Sequence, residues 1–283
     1  MIKIAIQKSG RLYEDSLRLL KDCGLSIEDG LDTLKAEVRN FNAEILFLRN
    51  SDIPQYLEDG VADVAILGEN VLIEKGVNIE IVERLGFSKC RLSVAMPKGN
   101  EYDGPQSLEG LKIATSYPKT LQGFLDENGV TASIHLISGS VEIAPNIGLA
   151  HAICDLVSSG STLFKNGLEE KQIILKSEAV LAVNKKSLVQ FGDIINELSF
   201  RINAVLKARK NKYILFNVPN EKIAEASKIL PVLKSPTVLP LIEEGWSSMH
   251  SVISDDDFWD VIARLKAIGA EGILVVPIEK MVV

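Results

Sequence analysis

Cysteine is scarce in this chain, with Cys23, Cys90 and Cys154 spread through 283 residues. The number is odd, and no CxxC pair or metal-ligand spacing occurs, so reduced thiols in a cytoplasmic protein are the expectation. Long apolar runs are missing as well. Nothing approaches membrane-spanning length, and the opening MIKIAIQKSGRL lacks the apolar stretch of a signal peptide. Positive charge is in deficit: the formal net charge of −7 argues against a general nucleic-acid binder. Ser-His-Asp, Walker and HExxH patterns do not occur, nor do internal repeats or low-complexity tracts. Partners are therefore expected to include neither nucleic acid nor membrane.

What is present reads as a soluble α/β protein. Hydrophobic residues at 46% and charged residues at 24% suffice for a real core, and the length suggests two or three domains. Strand-like runs Ile2–Ile6, Ala43–Leu48 and Ala62–Leu67 alternate with helical stretches near Tyr13–Cys23 and Ile53–Asp59. Asp52 is a plausible cap for the latter, with Pro54 tolerated in its first turn. Runs Arg91–Met96 and Ala179–Val183 flank a segment with its own βα pattern. It comprises Lys112–Thr115, helix Thr120–Asn128, Ser133–Leu136, helix Ile147–Ala152 and strand Ala152–Val157. One domain inserted into another, crossed twice, gives a hinged two-lobe cleft. Helix Ser187–Ala208 returns to the first lobe. Beyond Lys210 the order Lys212–Val218, helix Glu221–Leu230, Thr237–Pro240, His250–Ser254, helix Asp255–Ile268, Gly272–Pro277 is the βαββαβ of a ferredoxin-like module. Asp255, Asp256 and Asp257 suit the macrodipole at a helix start rather than a metal.

The nonapeptide DLVSSGSTL, Asp155–Leu163, carries the most chemistry. Small residues let backbone N–H groups approach an anion, and the hydroxyls of Ser158, Ser159, Ser161 and Thr162 around Gly160 add donors. Asp155 at its entrance suits ribose hydroxyls or a metal-bound water. A plain polar turn is the competing reading. Cys154 beside it reads as a packed, inert thiol. Four further segments fit the same picture. Gln7–Arg11 sets Lys8 and Arg11 beside Gly10, and Arg49–Pro54 follows a strand, with Arg49 free to take a phosphate or to pair with Asp52. Gly68–Val71 offers Glu69 and Asn70, unless Asn70 serves as a helix cap. Gly139–Pro145 carries Glu142, placed for a sugar hydroxyl or for capping a helix.

Together, IAIQKSGRL, DIPQYLEDGVADVAILGENVL, CRLSVAMP, IATSYPKTL, GSVEIAPNIGLAHAICDLVSSGSTLFKNGL and SPTVLPL…MHSVIS…GILVVPIEKM resemble the long form of ATP phosphoribosyltransferase, the first enzyme of histidine biosynthesis. The resemblance spans nearly the whole chain. It implies an α/β fold: a two-lobe, periplasmic-binding-protein-like catalytic region followed by a C-terminal ferredoxin-like (ACT-like) regulatory domain. The expected boundaries are lobe I at 1–98 and 181–208, lobe II at 99–180 and the regulatory domain at 209–283. The implied reaction moves phosphoribosyl from phosphoribosyl pyrophosphate to N1 of ATP, with Mg²⁺ held mainly through the substrate's pyrophosphate.

On that resemblance, Ser158–Thr162 take the 5′-phosphate, Asp155 and Glu142 meet the ribose, and Lys8 and Arg11 serve the leaving pyrophosphate. Arg49 lies near pyrophosphate or triphosphate, while Glu69, Asn70 and the turn Tyr117–Pro118–Lys119 frame the ATP side. No residue is nominated as general base. The C-terminal module is expected to bind L-histidine as inhibitor, with Ser235 and Thr237 of the SPT turn as contacts. It would signal across a dimer-to-hexamer equilibrium of identical chains, without a separate regulatory subunit. Two departures stand out: His151 where the family has Asp, four positions before Asp155, and Ser159 for Thr, which keeps the hydroxyl. If His151 weakened phosphoribosyl pyrophosphate binding, the chain would be a catalytically weak histidine sensor. A solute-binding protein shares the two-lobe fold and is the other alternative.

Overall fold

The computed structural model describes residues 1–28, 34–230 and 235–282, which form two compact units. The first, Met1–Lys21 with Leu25–Asn196, holds two sheets. Its first sheet contains β1 (Ile2–Gln7), β2 (Lys35–Val38), β3 (Ala43–Leu48), β4 (Val64–Gly68) and β5 (Glu80–Arg84). Helices α1 (Arg11–Asp22), α2 (Ile53–Glu58) and α3 (Glu69–Lys75) connect them. The second sheet contains β6 (Cys90–Pro97), β7 (Lys112–Thr115), β8 (Ser133–Leu136), β9 (Ala152–Val157) and β10 (Leu168–Ser177), with α4 (Pro118–Glu127) and α5 (Ser161–Lys165). Strand β11 (Ala179–Val183) returns to the first sheet.

Strand order is β2-β3-β1-β4-β11-β5 in the first sheet and β10-β6-β9-β7-β8 in the second. In each, three adjacent strands run parallel (β3, β1, β4 and β8, β7, β9), so their carboxyl ends share an edge where loops gather. The strands are apolar because both faces are covered. Ile4, Ala5, Ile6, Val64, Ala65 and Ile66 are all fully buried. In the second sheet alternate residues feed opposite cores: Ala152 and Cys154 join Leu92, Val94 and Ile113, whereas Ile153 and Val157 join Ala95, Val141 and Leu163.

Sheet membership moves the expected lobe boundaries. Cys90–Pro97, placed with lobe I on sequence, hydrogen-bonds to β9 and β10 and so belongs to the second sheet. The chain therefore crosses between Arg84 and Cys90 and again between Ser177 and Ala179, not at 98 and 180. The expected helix Ile147–Ala152 is a series of turns. Pro145 precedes it, and Gly148 takes a left-handed φ of +71° that breaks helical propagation. Helix Ser187–Ala208 is two helices, α6 (Lys185–Gln190) and α7 (Gly192–Arg209). Asn184 caps α6, accepting from the Lys186 and Ser187 amides at 2.8 and 3.2 Å. Asp52 sits at the N-cap of α2 without a side-chain cap bond, and its carboxylate accepts from Ser51 Oγ at 2.9 Å.

The second unit comprises Asp22–Gly24 and Glu197–Val283, so it starts inside α7 rather than at 209. Its strands β12 (Asn211–Pro219), β13 (Thr237–Pro240), β14 (Trp246–Ser254) and β15 (Glu271–Pro277), with α8 (Ile223–Ile229) and α9 (Phe258–Ala267), give βαββαβ. Their antiparallel order β13-β14-β12-β15 is ferredoxin-like, as the sequence implied. Phe216, Met249, Ile253, Val261 and Leu265 pack its core. Asp257 is the N-cap residue of α9 but makes no side-chain cap bond, and Asp255 lies 3.6 Å from Lys212 instead. Among the described residues no helix is long and apolar enough to cross a membrane.

Candidate active site

The Ser/Gly loop joins β9 to α5, beyond the carboxyl end of a central parallel strand. Gly160 adopts φ +79° there, a conformation that costs other residues energy. Ser159 Oγ is 3.1 Å from Ser161 Oγ, and the Ser161 amide points at Ser159 Oγ at 3.4 Å. Glu142, Asp155, Ser158, Ser159, Gly160 and Thr162 line one cavity of about 150 Å³. The two carboxylates singled out on sequence are thus brought together with the loop.

Asp155 is half-buried on β9, and its Oδ1 accepts from the Leu156 amide at 2.8 Å. Burial, and secondarily the charge of Glu142, pushes its carboxyl up to about 6 despite that hydrogen bond. At neutral pH it is still mainly an anion, held in a poorly solvated place. Burial, and secondarily that charge, also pushes the Tyr117 phenol up to about 12, so Tyr117 remains a hydrogen-bond donor. Cys154 is fully buried, and burial and Asp155 raise its thiol far above its ordinary value, consistent with an inert packing role.

A second, larger cavity of about 670 Å³ separates the lobes. Asn50, Ser51, Val71 and Glu74 line it from the first lobe, with Tyr117 and Leu136 from the second. Asn70 is buried beneath it. Its amide donates to Ser177 Oγ at 3.0 Å, its Oδ1 accepts from that hydroxyl at 3.0 Å, and its Nδ2 lies 3.4 Å from Tyr117 OH. The N-cap of α3 is Gly68, not Asn70, and a Cβ on Gly68 would come within 2.5 Å of Asn70 Oδ1. Asn50 Oδ1 is buried with no hydrogen-bond partner among the described residues.

Other expected residues are placed differently. Lys8 and Arg11 are exposed beyond β1, where the Lys8 amide donates to Leu48 O at 2.8 Å and so ties this loop to the one carrying Arg49. None of the three lines either cavity. Both oxygens of Glu69, expected from the resemblance to frame the ATP side, are engaged by the Arg84 guanidinium, with one contact at 2.6 Å. His151 lies at the far end of β9 from the loop, about 13 Å from Asp155 at strand rise. Its Nδ1 accepts from the Lys112 amide at 2.9 Å, a strand-end role. Ser235 and Thr237 are exposed at the start of β13. Among the described residues no group of three or more His, Cys, Asp or Glu is placed to hold a metal ion.

Sequence reasoning missed the support behind the loop. Arg91 Nη1 donates to Ser158 O at 3.0 Å, while Nε and Nη2 grip Glu170 at 2.5 and 2.6 Å. Buried Ser93 donates to Glu170 Oε1 at 2.6 Å, so the carboxylate is fixed before it fixes the guanidinium. No local spacing could reveal it, since it depends on β6 pairing with β10 some 79 positions away.

With this geometry in view, residues 49–204 match the family model described as ATP phosphoribosyltransferase (HisG), and residues 208–280 match that of the HisG C-terminal domain. The chain belongs to the ATP phosphoribosyltransferase family. The family member of Cytophaga hutchinsonii is 55% identical over 282 residues, covering 100% of this chain and 99% of its own. That of Phocaeicola vulgatus is 52% identical over 282 residues, covering all of both chains. Among solved structures, the ATP phosphoribosyl transferase (HisG:HisZ) complex from Thermotoga maritima superposes with a TM-score of 0.62 at 30% identity. The alignment covers 72% of this chain and 99% of that one. ATP phosphoribosyltransferase membership makes the protein a transferase of histidine biosynthesis.

Proposed function

We propose that the protein transfers the phosphoribosyl group of phosphoribosyl pyrophosphate to N1 of ATP, giving phosphoribosyl-ATP and pyrophosphate, under feedback inhibition by L-histidine. The observation that carries this reading is the convergence of Glu142, Asp155 and the loop residues Ser158, Ser159, Gly160 and Thr162 on one small cavity. Its hydroxyls and amides suit a 5′-phosphate, and the two carboxylates suit the ribose diol. As the bond from C1 to pyrophosphate lengthens, C1 gains oxocarbenium character. The Asp155 charge, poorly solvated, then acts at greater effect than it would in water.

ATP occupies the larger cleft. Asn50 Oδ1, buried and unpartnered among the described residues, suits the exocyclic amine of adenine, and Tyr117 lines the same space as a donor. N1 attacks as a neutral nucleophile, so alignment between lobes does the work and no general base is assigned. Lys8, Arg11 and Arg49, on adjacent loops at the edge of the first sheet, take up charge on pyrophosphate or triphosphate when ligand bridges the lobes. Glu142 and Asp155, two carboxylates lining the same cavity, would hold Mg²⁺ together with the substrate, and the ion would supply positive charge against the leaving pyrophosphate.

Histidine binding is assigned to the ferredoxin-like module around Ser235 and Thr237, in a cytoplasmic homo-oligomer passing from dimer to hexamer. The Thermotoga chain, spanned by 72% of this one, comes from a HisG:HisZ complex; here the C-terminal domain replaces the need for a separate regulatory chain. The test is pyrophosphate release with ATP, phosphoribosyl pyrophosphate and Mg²⁺, with and without L-histidine. Release that requires both substrates and falls with histidine is expected. Histidine binding without any release would show a sensor, and tight binding of an unrelated solute a receptor.

A further inference from the structure

We propose that Glu74 is a positioning residue that sets the width of the inter-lobe cleft by gripping α4 of the second lobe from α3 of the first. The carboxylate uses both oxygens on the first turn of α4. Oε1 accepts from the Lys119 amide at 3.0 Å, and Oε2 accepts from the Thr120 amide at 2.9 Å and the Thr120 hydroxyl at 2.7 Å. Tyr117, at the N-cap of α4, makes no side-chain cap bond, so orphan amides of this helix are satisfied from the other lobe. Lys119 Nζ closes the contact from the opposite direction, donating to Lys75 O at 3.2 Å.

Asn70 and Glu74 lie four positions apart, on one face of α3. Asn70 meets Tyr117 and the crossing residue Ser177, and Glu74 meets the next turn, so a single short helix holds the segment Tyr117–Thr120 at two points. Glu74, Lys75, Tyr117 and Lys119 all line the cleft, which means that the grip fixes the separation of the walls between which ATP is assigned. The phosphoribosyl cavity, by contrast, is built entirely from second-lobe residues. The grip should therefore matter for one substrate and not the other. This inference rests on the assignment of ATP to the cleft.

Steady-state kinetics of Glu74→Gln and Thr120→Val, with amide hydrogen exchange on the free proteins, tests it. The glutamine removes the charge and one acceptor while keeping the shape. KM for ATP is expected to rise roughly tenfold, the cost of a charge-assisted bond pair, with KM for phosphoribosyl pyrophosphate within about twofold of wild type. The Lys119 and Thr120 amides should exchange faster, and Ile113 and Ala114 of β7 should not. Thr120→Val should shift KM for ATP in the same direction by less, and adding it to Glu74→Gln should produce little further change. Equal KM changes for both substrates, an unchanged KM for ATP, or exchange rates that rise throughout the second lobe would overturn the proposal and leave Glu74 a stabilising contact. If wild-type protein releases no pyrophosphate, the ATP assignment fails. The exchange pattern still decides whether Glu74 holds the lobes.

Discussion

Replacing Asp155 by asparagine should make the protein more stable and far less active, and the stability gain should depend on pH. The carboxyl titrates at about 6 in the folded chain against an ordinary aspartate value of 3.8. A folded value above the unfolded one means that native Asp155 binds its proton more tightly. The charge-dependent penalty is therefore absent below the unfolded value, grows between the two, and is complete above about 6. At about 1.4 kcal/mol per pH unit the gap sets a ceiling near 3 kcal/mol, and partial access to water brings the expected gain to about 2 kcal/mol at pH 8. Asparagine keeps an oxygen for the Leu156 amide, so that hydrogen bond survives. Urea unfolding followed by far-ultraviolet circular dichroism is the assay, because Trp246 and Trp259 both lie in the C-terminal unit and would report on the wrong fold. The advantage of Asp155→Asn should widen by about 1–2 kcal/mol between about pH 4.5 and pH 8, while pyrophosphate release falls roughly a hundredfold or more. Histidine binding should be unaffected. A pH-independent difference, or a destabilised variant at pH 8, would refute the placement of a strained anion in this cavity.

Two other outcomes follow from the loop. Arg91→Lys cannot reproduce a guanidinium that binds Glu170 twice and Ser158 O once, so KM for phosphoribosyl pyrophosphate should rise roughly tenfold with KM for ATP nearly constant, read from initial rates. Gly160→Ala meets no clash, only ordinary contact with Val157 at 3.9 Å, so its cost is backbone conformation alone: about 1–2 kcal/mol in unfolding or in binding of phosphoribosyl pyrophosphate by calorimetry.

Much of this architecture is legible in sequence because buried parallel strands leave apolar runs bounded by turns. Ala43–Leu48, Lys112–Thr115, Ala152–Val157 and Ala179–Val183 form strands with the bounds read from the chain. The ferredoxin order was equally readable. Strands with charged, solvated faces were not: EIVER of β5 and LEEKQIILKS of β10 lie at sheet edges, where half the side chains meet water and the apolar signal is diluted. Missing β10 hid both the true crossing point and the Glu170 support for Arg91. In the site, loop chemistry gave Glu142, Asp155 and Ser158–Thr162 as neighbours. The Arg84 partner of Glu69, 15 positions away, is set by folding and leaves no local signal, and Glu74 went unseen because its partners lie in the other lobe.

Between Ser177 and Ala179 a single residue, Glu178, separates a strand of one sheet from a strand of the other. The other crossing runs alongside it, joined through the Ala179 amide to Phe87 O at 3.0 Å and the Leu85 amide to Ala179 O at 2.9 Å. Such a joint has almost no slack. Relative movement of the lobes has to come from rotation about a few backbone bonds, so bringing the walls together forfeits little chain entropy. The same economy makes the joint intolerant of length. One residue added after Ser177 would either slip β11 by one register position, exchanging its inward and outward side chains, or pull Ser177 away from Asn70. Gene-length variation in this protein should accumulate anywhere but there.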